Sequence, residues 1–373
     1  MKISRVDVYR YNIPLVHQVV VPIGVLKAAE NVVIRMTTDS GLEGWGEASP
    51  FAPITGDTQA SNFENARLFA RTVMGRDPIA IEARMAELGS LTVGESSLRA
   101  AFDMAFYDIA AKAAGLPLYR YLGGEKRPLR TDFTIGLQTT VDATLDRLRK
   151  GMAEGFVEVK LKVGRPGLTD VEHIAAAREL AGSAIHIKID SNQGWDYPTA
   201  VANLRAMEPC SLQYSEQPIA AWDLDNLRRL RDKVGIPICA DESVFDDRDA
   251  LKLVASGAVD YLNIKLGKSG GISTALRIEA ISRSAGCKNM IGCFAESGLG
   301  LTAAAHLACA RPNIAFVDLD SALNQQINPV VGGIIYDVAN GGLITLPDEP
   351  GLGTRIRDEV LQTCEHYAVA DSA

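Results

Sequence analysis

The chain has 373 residues, enough for a full barrel with a smaller domain beside it, and 47% of them are hydrophobic, which supplies a large core. A net charge of −8 without any run of Lys and Arg argues against a nucleic-acid binder or a basic membrane-surface helix. No apolar stretch is long enough to span a bilayer, and the six cysteines form no CxxC pair, so they read as reduced thiols. The opening MKISRVDVYRYNIPL lacks the apolar block of a signal peptide, and a cytoplasmic protein with neither membrane nor nucleic-acid partner is expected.

In chain order, residues 2–13 and 30–38 read as strands, and TDSGLEGWGEASP as a turn into a third. Helical spacing follows over about 57–74, 78–88 and 94–114, with Gly115 as the last stop. PLYRYLGG at 117–124 looks like an exit, which predicts a separate α+β domain over 1–125. The texture then changes. TDFTIGL, FVEVKLKV, IHIKID, LQYSEQP, PICADES, DYLNIKL, NMIGCF and IAFVDLD alternate with amphipathic helices, recurring after about 25 residues. Eight such runs predict an α/β fold, a parallel barrel of TIM type over 126–330. A doubly wound sheet is the alternative, but no GxGxxG follows the first strand of either region. The segment 331–373, with GGIIYDV and GLITLP, reads as a strand pair returning to the N-terminal domain.

Barrel chemistry sits at the C-terminal strand ends. The polar residues there are Lys160 and Lys162, Asp190, Glu216, Asp241, Lys265, and Asp318 with Asp320. Burying such a ring costs several kcal/mol per ion, roughly, unless the charges are paired or metal-bound. Asp190, Glu216 and Asp241 fall on three successive strands, and three converging carboxylates suit a hard divalent cation. Mg²⁺ is expected, with Mn²⁺ as a substitute. Any one of these acids alone reads as a lysine-paired strand end; three in register favour the metal.

Lys160 and Lys162 in KLK point to the same strand face. Two adjacent ammonium groups repel, which is expected to lower at least one pKa toward that of a useful base. A salt-bridged edge strand is the alternative, weakened by the apolar Val159, Leu161 and Val163. Lys265 lies across the barrel. Two bases facing each other over a metal-bound carboxylate can take a proton from one face of Cα and return it on the other, with the metal stabilising the enediolate between. Asp318 and Asp320 present two carboxylates to one face and suit an α-ammonium, although helix capping is an equal reading of Asp320. The five histidines form no HExxH, and neither GxSxG nor GxxxxGK[ST] occurs. GKSGGIS at 267–273 reads as backbone freedom near Lys265 and the opening of the next helix.

KLK, ID at 189–190, SEQP, ADES and NIKLGKSGGI, with GWGEASP before them and GLG at 351–353 after, resemble the muconate-lactonizing subgroup of the enolase superfamily. The resemblance implies an α+β capping domain over a modified TIM barrel, (β/α)7β, with Mg²⁺ on Asp190, Glu216 and Asp241. DLD is similar to the DxD with which dipeptide epimerases grip a substrate ammonium. The resemblance further implies Lys162 acting on the (R) epimer and Lys265 on the (S), with Lys160 placing the substrate carboxylate and tuning Lys162. Thr134, Cys293 and Ala295 would line the substrate.

The expected activity is therefore two-base 1,1-proton transfer at the Cα next to the C-terminal carboxylate of a dipeptide. Muconate cycloisomerases, o-succinylbenzoate synthases and N-succinyl amino acid racemases share the lysines, but their substrates lack a free ammonium. A degenerate barrel that only binds is the non-enzymatic alternative; no position of the motif set is missing. Members acting on Ala-Glu carry an arginine in the first capping loop, where QVVVPIGVLKAAEN has Gly24. With Val20, Val21, Ile23 and Val25 around it, and Phe51 and Ile54 in the second loop, small or hydrophobic dipeptides are expected. A homo-oligomer is expected as well.

Overall fold

The computed structural model describes residues 1–167 and 169–370. An antiparallel sheet opens the chain with strands Ile3–Val21, Gly24–Thr38 and Glu43–Ala48, and Glu365–Ala370 joins its outer side. The first two strands run well past 2–13 and 30–38. Val19, Val20 and Val21 pair with Leu26, Val25 and Gly24, so the apolar stretch expected as a loop is a β-arm. Its β-branched residues fit a paired, extended backbone better than a coil. The arm reaches the barrel, where Leu137 N donates to Val20 O at 3.1 Å.

Helices Gln59–Val73, Ile81–Gly89 and Ser96–Ala113 complete the N-terminal part. The last is buried over most of its length because its alanines let it lie directly on the sheet. The two glycines of GWG explain how close it comes: a Cβ on Gly46 would stand 1.8 Å from Ala101 O.

The barrel strands are Phe133–Ile135, Glu158–Lys162, His186–Asp190, Ser215–Glu216, Ile238–Ala240, Tyr261–Ile264, Lys288–Ile291 and Ile314–Val317. Each pairs in parallel with the next in chain order. A helix follows each of the first seven, while the eighth leads only into the short 3₁₀ turn Ser321–Asn324, giving (β/α)7β. Among the described residues no backbone ladder joins the first and last strands. Side chains close that seam: Thr131 Oγ1 accepts from Leu319 N and Asp320 Oδ2 from Thr134 N, both at 2.8 Å. Tyr214, Tyr261 and Phe316 pack edge to face in the barrel floor. Lys188 is buried beside them, paired with Asp132 at 2.8 Å and Glu158 at 3.2 Å.

After the barrel, the strand pair expected on the N-terminal domain instead extends Leu129–Arg130 at the barrel entrance. Among the described residues, only Glu365–Ala370 returns to the first sheet. The six cysteines are free, and among the described residues no helix is long and apolar enough to cross a membrane.

Two buried acids of the N-terminal part fasten it to barrel helices. Glu47 accepts from Ser297 N at 3.0 Å, Ser297 Oγ at 2.8 Å and Gly300 N at 2.9 Å, at the start of helix Gly298–Ala310. Asp103 accepts from Ser273 N at 3.1 Å and Ser273 Oγ at 2.6 Å, at the start of Ile272–Ser284. Carboxylates suit these positions because helix N-termini carry unpaired N–H groups and partial positive charge. Gly271 makes room, since a Cβ there would lie 2.3 Å from the Asp103 carboxylate. Each orphaned buried donor costs about 1–3 kcal/mol. Glu47→Ala should therefore lower unfolding free energy by at least about 3 kcal/mol in urea titrations. An unchanged midpoint would contradict the role given to Glu47.

Candidate active site

Parallel register sets Lys162 beside Asp190 and Asp190 beside Glu216, and Asp241 directly follows the adjoining strand Ile238–Ala240. All three carboxylates are fully buried. Lys162 Nζ meets Asp190 Oδ2 at 2.5 Å, while Lys265 and Lys268 meet the two oxygens of Asp241 at 2.7 and 2.5 Å. Glu216 accepts from Asn263 Nδ2 at 2.6 Å through one oxygen, and its other oxygen is buried without a hydrogen-bond partner. Burial, and then the charge of Asp190, push Glu216 up to about 8. Burial opposes ionisation of Asp241 too, but Lys265 and Lys268 hold it well below the usual carboxylate range. Three crowded buried acids with an unshared oxygen could hold a hard divalent cation, which would relieve their repulsion.

Lys160 departs from the expectation of mutual lysine repulsion. It forms an ion pair with Asp318. Burial works against its charge, yet Asp318, Glu216, Asp132 and Asp190 together keep its pKa well above the ordinary lysine value. It is a fixed cation. Lys265 is likewise raised, burial being outweighed by Asp241 and Glu216, and its ammonium lies 4.8 Å from the centre of the Phe294 ring.

Lys160, Lys162 and Lys265 open into a cavity of about 920 Å³ that Thr134, Cys293, Ala295, Asp318 and Asp320 also line. The two aspartates are not equivalent, although the sequence offers both to an ammonium. Asp318 is committed to Lys160. Asp320 accepts from Thr134 N and has no cationic partner among the described residues. Its side chain does not cap the turn that follows, so the capping reading fails. Burial, then Asp318, push it up to about 6, which a neighbouring cation would reverse.

From above, Val20, Leu26, Phe51 and Ile54 supply an apolar roof. Phe51 and Phe294 lie with ring centres 6.1 Å apart, joining roof to barrel. Gly24 sits on the arm; a Cβ there would touch Phe51 at 3.5 Å.

Asn192, Glu242 and Lys268 belong to the site but were not singled out from sequence. Asn192 accepts from Lys162 at 3.0 Å and donates to Glu242 at 3.2 Å. Burial, then Asp241, push Glu242 up to about 7. Glu242 and Lys268 lie inside ADES and GKSGGIS, and those motifs are the sequence signal that marks them. Asn192 carries no signal in spacing or type.

Residues 143–360 match the Enolase C-terminal domain-like family, and residues 5–123 match the Mandelate racemase / muconate lactonizing enzyme, N-terminal domain. The chain is 38% identical over 358 residues to the L-Ala-D/L-Glu epimerase of Bacillus subtilis, covering 95% of this chain and 96% of that one. It is 37% identical over 354 residues to the hydrophobic dipeptide epimerase of Enterococcus faecalis, covering 95% and 99%. The crystal structure of the dipeptide epimerase from Cytophaga hutchinsonii complexed with Mg and D-Ala-L-Val is similar at TM-score 0.96 and 36% identity, over 99% of this chain and 100% of that one. Matched in both its parts and along its length, the chain belongs to the mandelate racemase / muconate lactonizing enzyme family of the enolase superfamily.

Proposed function

We propose that the protein is a Mg²⁺-dependent dipeptide epimerase that moves a proton between the two faces of the Cα next to the substrate's C-terminal carboxylate. The observation that carries this is the placement of Lys162 and Lys265 on opposite sides of Asp190, Glu216 and Asp241, with the unpaired Asp320 in the same cavity. Asp190, Glu216 and Asp241 would hold the metal, which supplies positive charge where the substrate carboxylate becomes an enediolate. Lys162 and Lys265, sharing their aspartates with that charge, act as the base on one face and the acid on the other. Lys160 stays cationic and orients the substrate carboxylate. Asp320 receives the ammonium, with Asp318 holding Lys160 in place.

The substrate side chain meets the apolar roof of Val20, Leu26, Phe51 and Ile54, which favours small or hydrophobic residues. Relatives described as D-Ala-D/L-Ala epimerase and hydrophobic dipeptide epimerase support that choice. An N-succinyl amino acid substrate would leave Asp320 without a partner, which disfavours the racemase reading. The chain is taken to divide near residue 125, supported by the gap between the two family matches, and near residue 330, beyond the last barrel strand. A cytoplasmic homo-oligomer is proposed, supported by six free cysteines and by Trp222, which is 82% exposed.

Three outcomes test the assignment. A dipeptide panel in D₂O, read by mass spectrometry, should show Cα deuterium with apolar C-terminal residues at least about tenfold faster than with Glu, a difference of about 1.4 kcal/mol. Turnover of a succinylated substrate with no dipeptide exchange would reject the assignment. Asp320→Asn should raise KM for dipeptides by about 10–100-fold, the loss of a charged hydrogen bond of about 1.5–3 kcal/mol. Mg²⁺ at 100 times its Kd should stabilise the fold by about 2.7 kcal/mol in thermal melts, and a chelator should abolish epimerisation.

A further inference from the structure

The two lysines stand in unlike settings. Lys265 lies over the face of Phe294. Lys162 instead donates to Asn192 Oδ1 at 3.0 Å, and Asn192 Nδ2 donates onward to Glu242 Oε1 at 3.2 Å. Chemistry fixes the direction of this amide: an ammonium can only donate and a carboxylate accepts, so Oδ1 must face Lys162 and Nδ2 must face Glu242. A side chain here has to accept on one side and donate on the other.

The backbone bends to deliver that amide. Asn192 has φ 39° and the following Gln193 φ 65°, a left-handed region that asparagine tolerates better than most residues. The turn is clamped by Gln193 N to Gln217 O at 2.9 Å and by Gly194 N to Ser191 O at 2.8 Å. Asn192 N also donates to Asp190 Oδ1 at 2.9 Å, and the residue is only 3% exposed. A strained backbone held this firmly beside a reacting group calls for a functional explanation. Lys265 has its own carboxylate, Asp241, as Lys162 has Asp190, but among the described contacts no side-chain amide reaches Lys265.

We infer that Asn192, braced by Glu242, is a positioning residue for Lys162 alone. It aims one base and leaves the other untouched. This rests on the two-base reading above. In such a reaction each lysine can also remove and return a proton on its own face: the C–H pair moves into the carboxylate, the proton joins the amine, exchanges there with solvent deuterium, and comes back. Misaiming Lys162 therefore slows epimerisation equally from both epimers, since their equilibrium is fixed, yet spares exchange at the face served by Lys265.

The test measures Cα deuterium incorporation separately from each epimer of an apolar dipeptide at saturating Mg²⁺. Lys162→Ala and Lys265→Ala assign the faces. Asn192→Gly, which suits the positive φ, should cut exchange at the Lys162 face on the order of 100-fold, as misplacement by about 1 Å does. Epimerisation from either epimer should fall by a similar factor, while exchange at the Lys265 face stays within about threefold. Glu242→Leu should give a weaker loss on the same side, and Glu242→Gln, whose Oε1 still accepts from Nδ2, should recover most of it. Equal loss at both faces, or none at either, overturns the assignment. A wild-type enzyme that exchanges no dipeptide sinks the two-base reading itself, and the inference with it.

Discussion

Three buried carboxylates at neighbouring strand ends set the terms for everything else in this barrel mouth. Asp190, Glu216 and Asp241 repel one another in a medium that screens poorly, so positive charge must stand close by. Lys162, Lys265 and Lys268 provide part of it, and each is placed by the carboxylate it serves. Their division of labour follows from exposure to the cavity. Lys162 and Lys265 line it, whereas Lys268 is sealed behind Asp241 between Asp241 and the Asn263 carbonyl. Asp241 is thereby gripped from both sides, which fixes its orientation before any ligand arrives.

The same Coulomb logic separates the two aspartates of the last strand. Lys160 needs a counter-ion once buried, and Asp318 is that counter-ion. Asp320, one strand repeat further on, is left to meet whatever cation enters. Below them, Lys188 and Asp132 continue the alternation of charge into the floor, which lets a barrel interior be polar without loose ions.

Chemistry and selection are carried by different parts of the chain, and the joint between them has to be stiff. The reacting groups all stand on barrel strands or just past their ends. The apolar roof comes from a β-arm and a loop of the N-terminal part. Glu47 and Asp103, buried against the N-termini of two barrel helices, keep that roof in register with the lysines beneath. Such a division allows side-chain preference to change in the arm while the proton-transfer machinery stays as it is.

Much of this was written in the sequence, because a parallel strand puts its functional residues at its C-terminal end and alternation tells which face they share. KLK, the Asp–Glu–Asp series and Lys265 were legible for that reason, the parallel barrel was legible in its eight recurring runs, and its (β/α)7β form was implied by the family resemblance. Partners were not. That Lys160 belongs to Asp318 depends on the barrel curling until its second and eighth runs approach, with 158 positions between the two residues. That Asn192 bridges Lys162 to Glu242 depends on a left-handed turn that residue type does not announce. The β-arm over 14–29 looked like a loop because its pairing partner is itself and its support is the barrel top. The sequence determined which charges exist and on which strand ends they stand; the tertiary structure decided which charge neutralises which, because Coulomb pairing depends on distance through space and not on separation along the chain.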